Sequence, residues 1–139
     1  MKAEPKMITI LLADDDPDDR KLTQDAFSEN RLANVLDCVE DGEELLAYLH
    51  RSGKYETLRD RALPGLILLD LNLPRIDGAQ LLSHIRKSDC FSATPVIVLT
   101  SSDSPKDRQM ALELGANLYF RKPPIWLPLW IWAGLSRRL

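Results

Sequence analysis

Long apolar runs are missing from this chain. None reaches the ~18 residues of a membrane-spanning helix, so no span is expected. The N-terminus lacks an apolar h-region and a cleavage site, which argues against a secretory signal. Cysteine is scarce: Cys38 and Cys90 have no metal or redox spacing, so a disulfide framework and a zinc site are not expected. Two lone thiols fit a reducing compartment, and the expected location is the cytoplasm. Histidine is as rare. His50 and His84 fall on predicted helices with no partner at metal spacing, and neither is given a role. The net charge is only −3, so nothing suggests general attraction to nucleic acid or to anionic membrane. Repeats, low-complexity segments and linkers are absent too. What remains is 139 residues, 45% hydrophobic and 28% charged, which fits one soluble domain with a real core.

The most informative stretch runs from Pro64 to Pro74. Leu66-Ile67-Leu68-Leu69 is continuously apolar, ends on Asp70, and is punctuated by Gly65 before it and Pro74 after it. A run without polar alternation suits a strand buried on both faces, as in a parallel sheet. Such sheets place chemistry at the C-terminal ends of their strands, which is where Asp70 falls.

Other segments repeat the pattern. Met7 to Ala13 reads as a strand ending on Asp14 and Asp15. Asp16-Pro17 then opens a helix, with Asp as cap and Pro at the first helical position; Leu22, Ala26 and Phe27 are expected inside. Val35 to Val39 is a second strand. Asp41-Gly42-Glu43-Glu44 has capping-box spacing before a helix carrying Leu45, Leu46 and Leu49, expected to end near Ser52-Gly53. Residues 54–63 show no period and read as a surface loop. Asp77-Gly78 precedes a helix with Leu81, Leu82 and Ile85 inward. Pro95 to Thr100 is a fourth strand. Ser104-Pro105 starts a helix with Met110, Ala111 and Leu114, and Gly115 suits its left-handed end. Leu118 to Lys122 is a fifth strand, stopped by Pro123-Pro124. Five alternations with short connections argue a doubly wound α/β fold, a parallel sheet with helices on both faces.

In a sheet of order 2-1-3-4-5, strands 1 and 3 are neighbours at the switch point, so Asp14, Asp15 and Asp70 converge. Two like charges ~5 Å apart repel by roughly 3 kcal/mol at an effective dielectric of ~20. Three such carboxylates need a cation, or one must protonate; all-oxygen ligands favour Mg²⁺ or Mn²⁺. Lys122 and the Thr100 hydroxyl end the neighbouring strands. A carboxylate among a divalent cation, a lysine and a hydroxyl is set up to take a phosphoryl group as nucleophile. Asp18 and Asp19 read instead as charges favourable to a helix N-terminus, and Asp16 as its cap.

These residues carry a resemblance. Leu11-Leu12-Ala13-Asp14-Asp15-Asp16, Leu68 to Pro74 with Asp77-Gly78, Val98-Leu99-Thr100-Ser101 and Lys122-Pro123 together resemble the receiver domain of two-component response regulators. The match covers about residues 7–124 of a domain taken as 1–139. Tyr48 to Glu56 and Asp70 to Arg75 are similar to stand-alone regulators of the phytochrome-associated type. The resemblance implies a (βα)5 flavodoxin-like fold. It also implies a single-domain regulator that takes a phosphoryl group on Asp70 from a histidine kinase or phosphorelay partner and signals by phosphorylation-controlled protein contacts. It is not expected to be an enzyme beyond its own phosphoryl transfer and dephosphorylation. Asp15 is implied as a direct Mg²⁺ ligand, Asp14 as one acting largely through water, and the Asn72 carbonyl as another. Thr100 and Tyr119 are implied as the switch pair, Lys122 as the phosphoryl partner, and the Lys122-Pro123 bond as cis. Ser102 is implied only as a residue that biases phosphate hydrolysis.

Three rivals belong to other classes. A phosphatase of the haloacid dehalogenase class needs an acid two positions after its nucleophile, where this chain has Asn72. A pseudo-receiver that never takes phosphate would not need the acidic pair, Asp70, Thr100 and Lys122 together. A flavodoxin-like cofactor protein would need a phosphate loop after the first strand, and none is there. The chain departs from the receiver pattern after Pro124. Residues 125–132 are apolar on almost all sides of a helix and hold all three tryptophans. An exposed apolar patch marks an interface, and the resemblance implies a homodimer through the fourth helix, fifth strand and fifth helix; the alternative is an altered or truncated terminus that packs poorly.

Overall fold

Short runs of leucine, isoleucine and valine become the strands because both of their faces are covered. The computed structural model describes residues 9–29, 35–100 and 104–121, with residues 26–29 and 121 described by backbone alone. The elements are β1 (Thr9–Ala13), α1 (Pro17–Glu29), β2 (Val35–Val39), α2 (Gly42–His50), a 3-10 turn (Gly53–Leu58), β3 (Leu66–Leu69), α3 (Gly78–Lys87), β4 (Val96–Thr100), α4 (Pro105–Glu113) and β5 (Leu118–Arg121). All strand pairs are parallel, and the sheet order is β2-β1-β3-β4-β5, as expected.

Alternate residues of each strand serve two cores. Leu11, Ala13, Ile67, Leu69, Val96 and Val98 face Leu45 and Leu49 of α2, Leu81, Leu82 and Ile85 of α3, and Ala111 of α4. Ile10, Leu12, Leu66, Leu68, Ile97 and Leu99 form the other core, with Cys38 at its margin. There α1 is tied to the sheet by Gln24, whose amide donates to Cys38 Sγ at 3.5 Å. The unbroken apolar runs follow from this double burial.

The helix starts match their sequence signals. Asp41 accepts from the Glu44 amide, Asp77 from Ala79, and Ser104 from Asp107. Asp16 accepts from the amides of Asp18 and Asp19 at 2.9 and 3.4 Å, so it is the cap of α1. Gly115 has φ +108, the left-handed conformation expected after α4.

Four expectations need correction. Leu22 is not inside: it is 46% exposed, and Thr23 is the buried residue of α1. Thr23 Oγ1 donates to the Asp19 carbonyl, which satisfies a polar side chain that faces inward. Helix α2 stops at His50, because Arg51 takes a left-handed conformation (φ 54) and turns the chain into a 3-10 turn where a loop was expected. The capping-box glutamate is offset by one residue: Glu44 accepts from the Glu40 amide, not from that of Asp41. Lastly, His50 and His84 do have partners, for they touch each other. No helix among the described residues is long and apolar enough to cross a membrane. Ala26, Phe27, Ser101, Ser102, Lys122, Pro123 and the apolar segment 125–139 lie outside the side chains described.

Candidate functional site

Register builds the site. Ala13 stands opposite Leu69 in the β1–β3 pair, so the next residues, Asp14 and Asp70, leave neighbouring strands at one level. The Asp70 amide donates to the Ala13 carbonyl at 3.0 Å, which extends the ladder by one step and fixes that level. Asp14, Asp15 and Asp70 then offer carboxylate oxygens that all lie within 4.8 Å of one another. Asp14 and Asp70 are buried, while Asp15 is exposed. The cluster is therefore open to solvent on the Asp15 side and closed by the sheet below.

Each carboxylate has a different neighbourhood. Asp14 Oδ1 accepts from the Asp16 amide at 3.0 Å, and the Asp14 carbonyl accepts from Arg20 at 2.8 Å. Asp70 Oδ1 accepts from the Asn72 amide at 2.9 Å, which holds the turn after β3 over the cluster. The Asn72 side chain reaches across and donates to Thr100 Oγ1 at 3.2 Å. Thr100 is fully buried at the end of β4. One continuous hydrogen-bonded path thus joins Asp70, Asn72 and Thr100. Tyr119 sits on β5 opposite Val98, half-buried against the α2–α4 core, two residues before the one opposite Thr100. Arg75, with φ 76, leans from the same turn towards Asp41 and Glu43 at 3.5 and 3.2 Å, bracing the β3–α3 loop against α2.

The structure therefore brings together Asp14, Asp15, Asp70, Asn72 and Thr100, with Tyr119 on the adjacent strand. Lys122 and Pro123 lie outside the described residues. Two contributors escaped sequence reasoning, the Asn72 side-chain amide and Arg20. Neither carries a spacing signal, because each acts through a contact made only when strands and helix are assembled.

A doubly wound sheet with a carboxylate cluster at its switch point defines an α/β module with an acidic site at the C-terminal ends of its strands. The family model described as "Response regulator receiver domain" matches residues 10–125. Response regulator Rcp1 of Synechocystis sp. is 36% identical over 118 residues, covering 85% of this chain and 77% of its own. The solved Mn²⁺-bound form of Rcp1 superimposes with a TM-score of 0.78, at 32% identity, over 94% of this chain and 88% of that one. The phosphorylated cyanobacterial phytochrome response regulator RcpA gives a TM-score of 0.79 at 31% identity, over 96% and 91% of the two chains. This chain belongs to the response regulator receiver family of two-component signalling, and it is similar to stand-alone regulators of the phytochrome-associated type. The acidic cluster fits the divalent-metal binding of such domains.

Proposed function

We propose that Asp70 is the phosphoacceptor of this receiver domain. The observation that carries the reading is the meeting of three carboxylates within 4.8 Å at the switch point, one of them hydrogen-bonded into a path that ends on Thr100. An Asp70 oxygen attacks the phosphorus of the donor. The bond from phosphorus to the donor nitrogen of a phosphohistidine, or to the acyl oxygen of a small donor, breaks, and the donor leaves with that electron pair. Asp15, Asp70 and the Asn72 carbonyl would hold Mg²⁺ or Mn²⁺, with Asp14 acting largely through water, and a bound ion would supply positive charge towards the phosphoryl oxygens. Lys122 pairs with the phosphoryl oxygens. Thr100 exchanges its Asn72 partner for the phosphoryl group, and Tyr119 follows into the space this opens.

The donor is a sensor histidine kinase or a phosphotransfer protein, and the location is the cytoplasm. The chain signals through protein contacts, including a homodimer of the fourth helix, fifth strand and fifth helix. It catalyses its own phosphoryl transfer and dephosphorylation and no other reaction. The test is intact mass after incubation with Mg²⁺ and acetyl phosphate. Wild type gains one phosphoryl group only when a divalent cation is present, and Asp70→Asn gains none. Full labelling of Asp70→Asn would move the acceptor to another residue.

A further inference from the structure

His50 and His84 come from different helices and meet at the end of the fold away from the acidic cluster. His50 is the last residue of α2 and His84 lies near the end of α3, whereas the caps Asp41 and Asp77 begin those helices at the cluster's edge. The two Nε2 atoms are 2.8 Å apart. The ring centroids are 5.1 Å apart with planes at 86°. That separation is about as large as a 2.8 Å nitrogen contact permits, so the two nitrogens face each other head-on. One ring donates a proton and the other accepts with its lone pair. Both side chains are exposed, and Phe91 stands edge-on against His50 with centroids 5.6 Å apart.

We propose that this pair is a second cation site, for a transition-metal ion of the Cu²⁺ or Ni²⁺ type and not for the hard ion of the acidic cluster. Donor chemistry separates the two sites. Neutral imidazole suits copper, nickel and zinc, and carboxylates suit magnesium and manganese. Affinity then selects among the imidazole metals, because nitrogen sites hold first-row divalent ions more tightly towards Ni²⁺ and Cu²⁺. Two nitrogens that bind one ion must aim their lone pairs at a common point, about a right angle apart for adjacent corners of a square. From the head-on contact each ring therefore turns by roughly 45°, and the exposed side chains turn about their own bonds to do so. Solvent fills the remaining corners, because both rings are exposed.

The protons balance without release. The ring that donates through Nε2 loses that proton to water and takes one at Nδ1, leaving two neutral rings with free Nε2 lone pairs. The oxidation state of the metal does not change. Once bound, the ion cross-links α2 to α3 and stabilises the native state that positions it.

Titration of the untagged full-length chain with Cu²⁺ and with Ni²⁺, in excess Mg²⁺ to occupy the acidic cluster, tests this. Wild type binds one ion, and Cu²⁺ paramagnetic resonance shows nitrogen splitting from two imidazoles. His50→Gln and His84→Gln each weaken binding by about tenfold or more. Both variants keep Mg²⁺-dependent phosphorylation, so loss of this site is distinguishable from loss of the other. Thermal melting in chelator establishes that they fold. Equal affinity in wild type and both variants, or a wild-type spectrum without two nitrogen ligands, overturns the proposal and leaves a hydrogen-bonded histidine pair only.

Discussion

Tyr48 shows how a single buried residue ties stability to pH. Its ring is 2% exposed, and its phenol donates to Asp37 Oδ2. Burial, then the hydrogen bond and the charge of Asp37, push the phenol up to about 12. In the unfolded chain it titrates near ~10. The folded protein therefore keeps a proton that the unfolded chain has already lost at the same pH. The resulting stability is complete below about pH 10 and disappears as pH rises towards about 12. Tyr48→Phe cannot titrate, so its alkaline denaturation curve should be shallower across that window. Superimposable wild-type and variant slopes would show that other groups carry the effect. Cys38 shifts upward for the same first reason, burial, which favours its neutral thiol. Residue-scale detail of this kind was not legible in the sequence. Tyr48 and Asp37 are eleven positions apart, and only the packing of α2 beside β2 brings them together.

At the scale of elements, Gly78 links a helix start to the functional turn. A Cβ there would lie 2.8 Å from the Leu71 Cα and 2.9 Å from the Leu71 carbonyl oxygen. The obstruction is backbone, and Leu71 sits between Asp70 and Asn72. Gly78→Ala must therefore shift the turn after β3 or the first turn of α3. The expected cost is about 1–3 kcal/mol in denaturant titration, together with slower labelling by acetyl phosphate. Unchanged stability and unchanged labelling would mean that the turn relaxes freely. Elements are also the scale at which the sequence was most readable. Strands buried on both faces cannot alternate, so Leu66 to Leu69 and Val96 to Leu99 announced themselves. Asp16, Asp41, Asp77 and Ser104 marked the helix starts because each satisfies an otherwise unpaired amide. The inner face of α1 was less readable. Hydrophobicity favoured Leu22, but Thr23 can be buried once its hydroxyl donates to Asp19, and Leu22 lies about 100° further round the helix. The His50–His84 contact was not readable at all, since 34 residues separate the two.

For the whole molecule, the acidic cluster should make stability depend on a divalent cation. The fold holds Asp14, Asp15 and Asp70 together against their mutual repulsion, and the unfolded chain releases them. A divalent ion that binds only the native state stabilises it by about 2.7 kcal/mol at a hundred times its dissociation constant. For a domain of this size that corresponds to a rise in melting temperature of several degrees, at about 3–5 °C per kcal/mol. The two neighbouring aspartates should differ. Asp14 has already committed Oδ1 to the Asp16 amide, whereas Asp15 is exposed on the open side of the cluster. Asp15→Ala should therefore lose most of the Mg²⁺-induced rise while melting no lower than wild type in chelator, because it removes a charge from the cluster. Asp14→Ala should keep more of the rise, since one of its oxygens is already engaged by the Asp16 amide. Scanning calorimetry with and without millimolar Mg²⁺ separates these outcomes. A wild type that ignores Mg²⁺ would count against a metal at the cluster. Equal losses in the two variants would place Asp14 in direct contact with the ion as well.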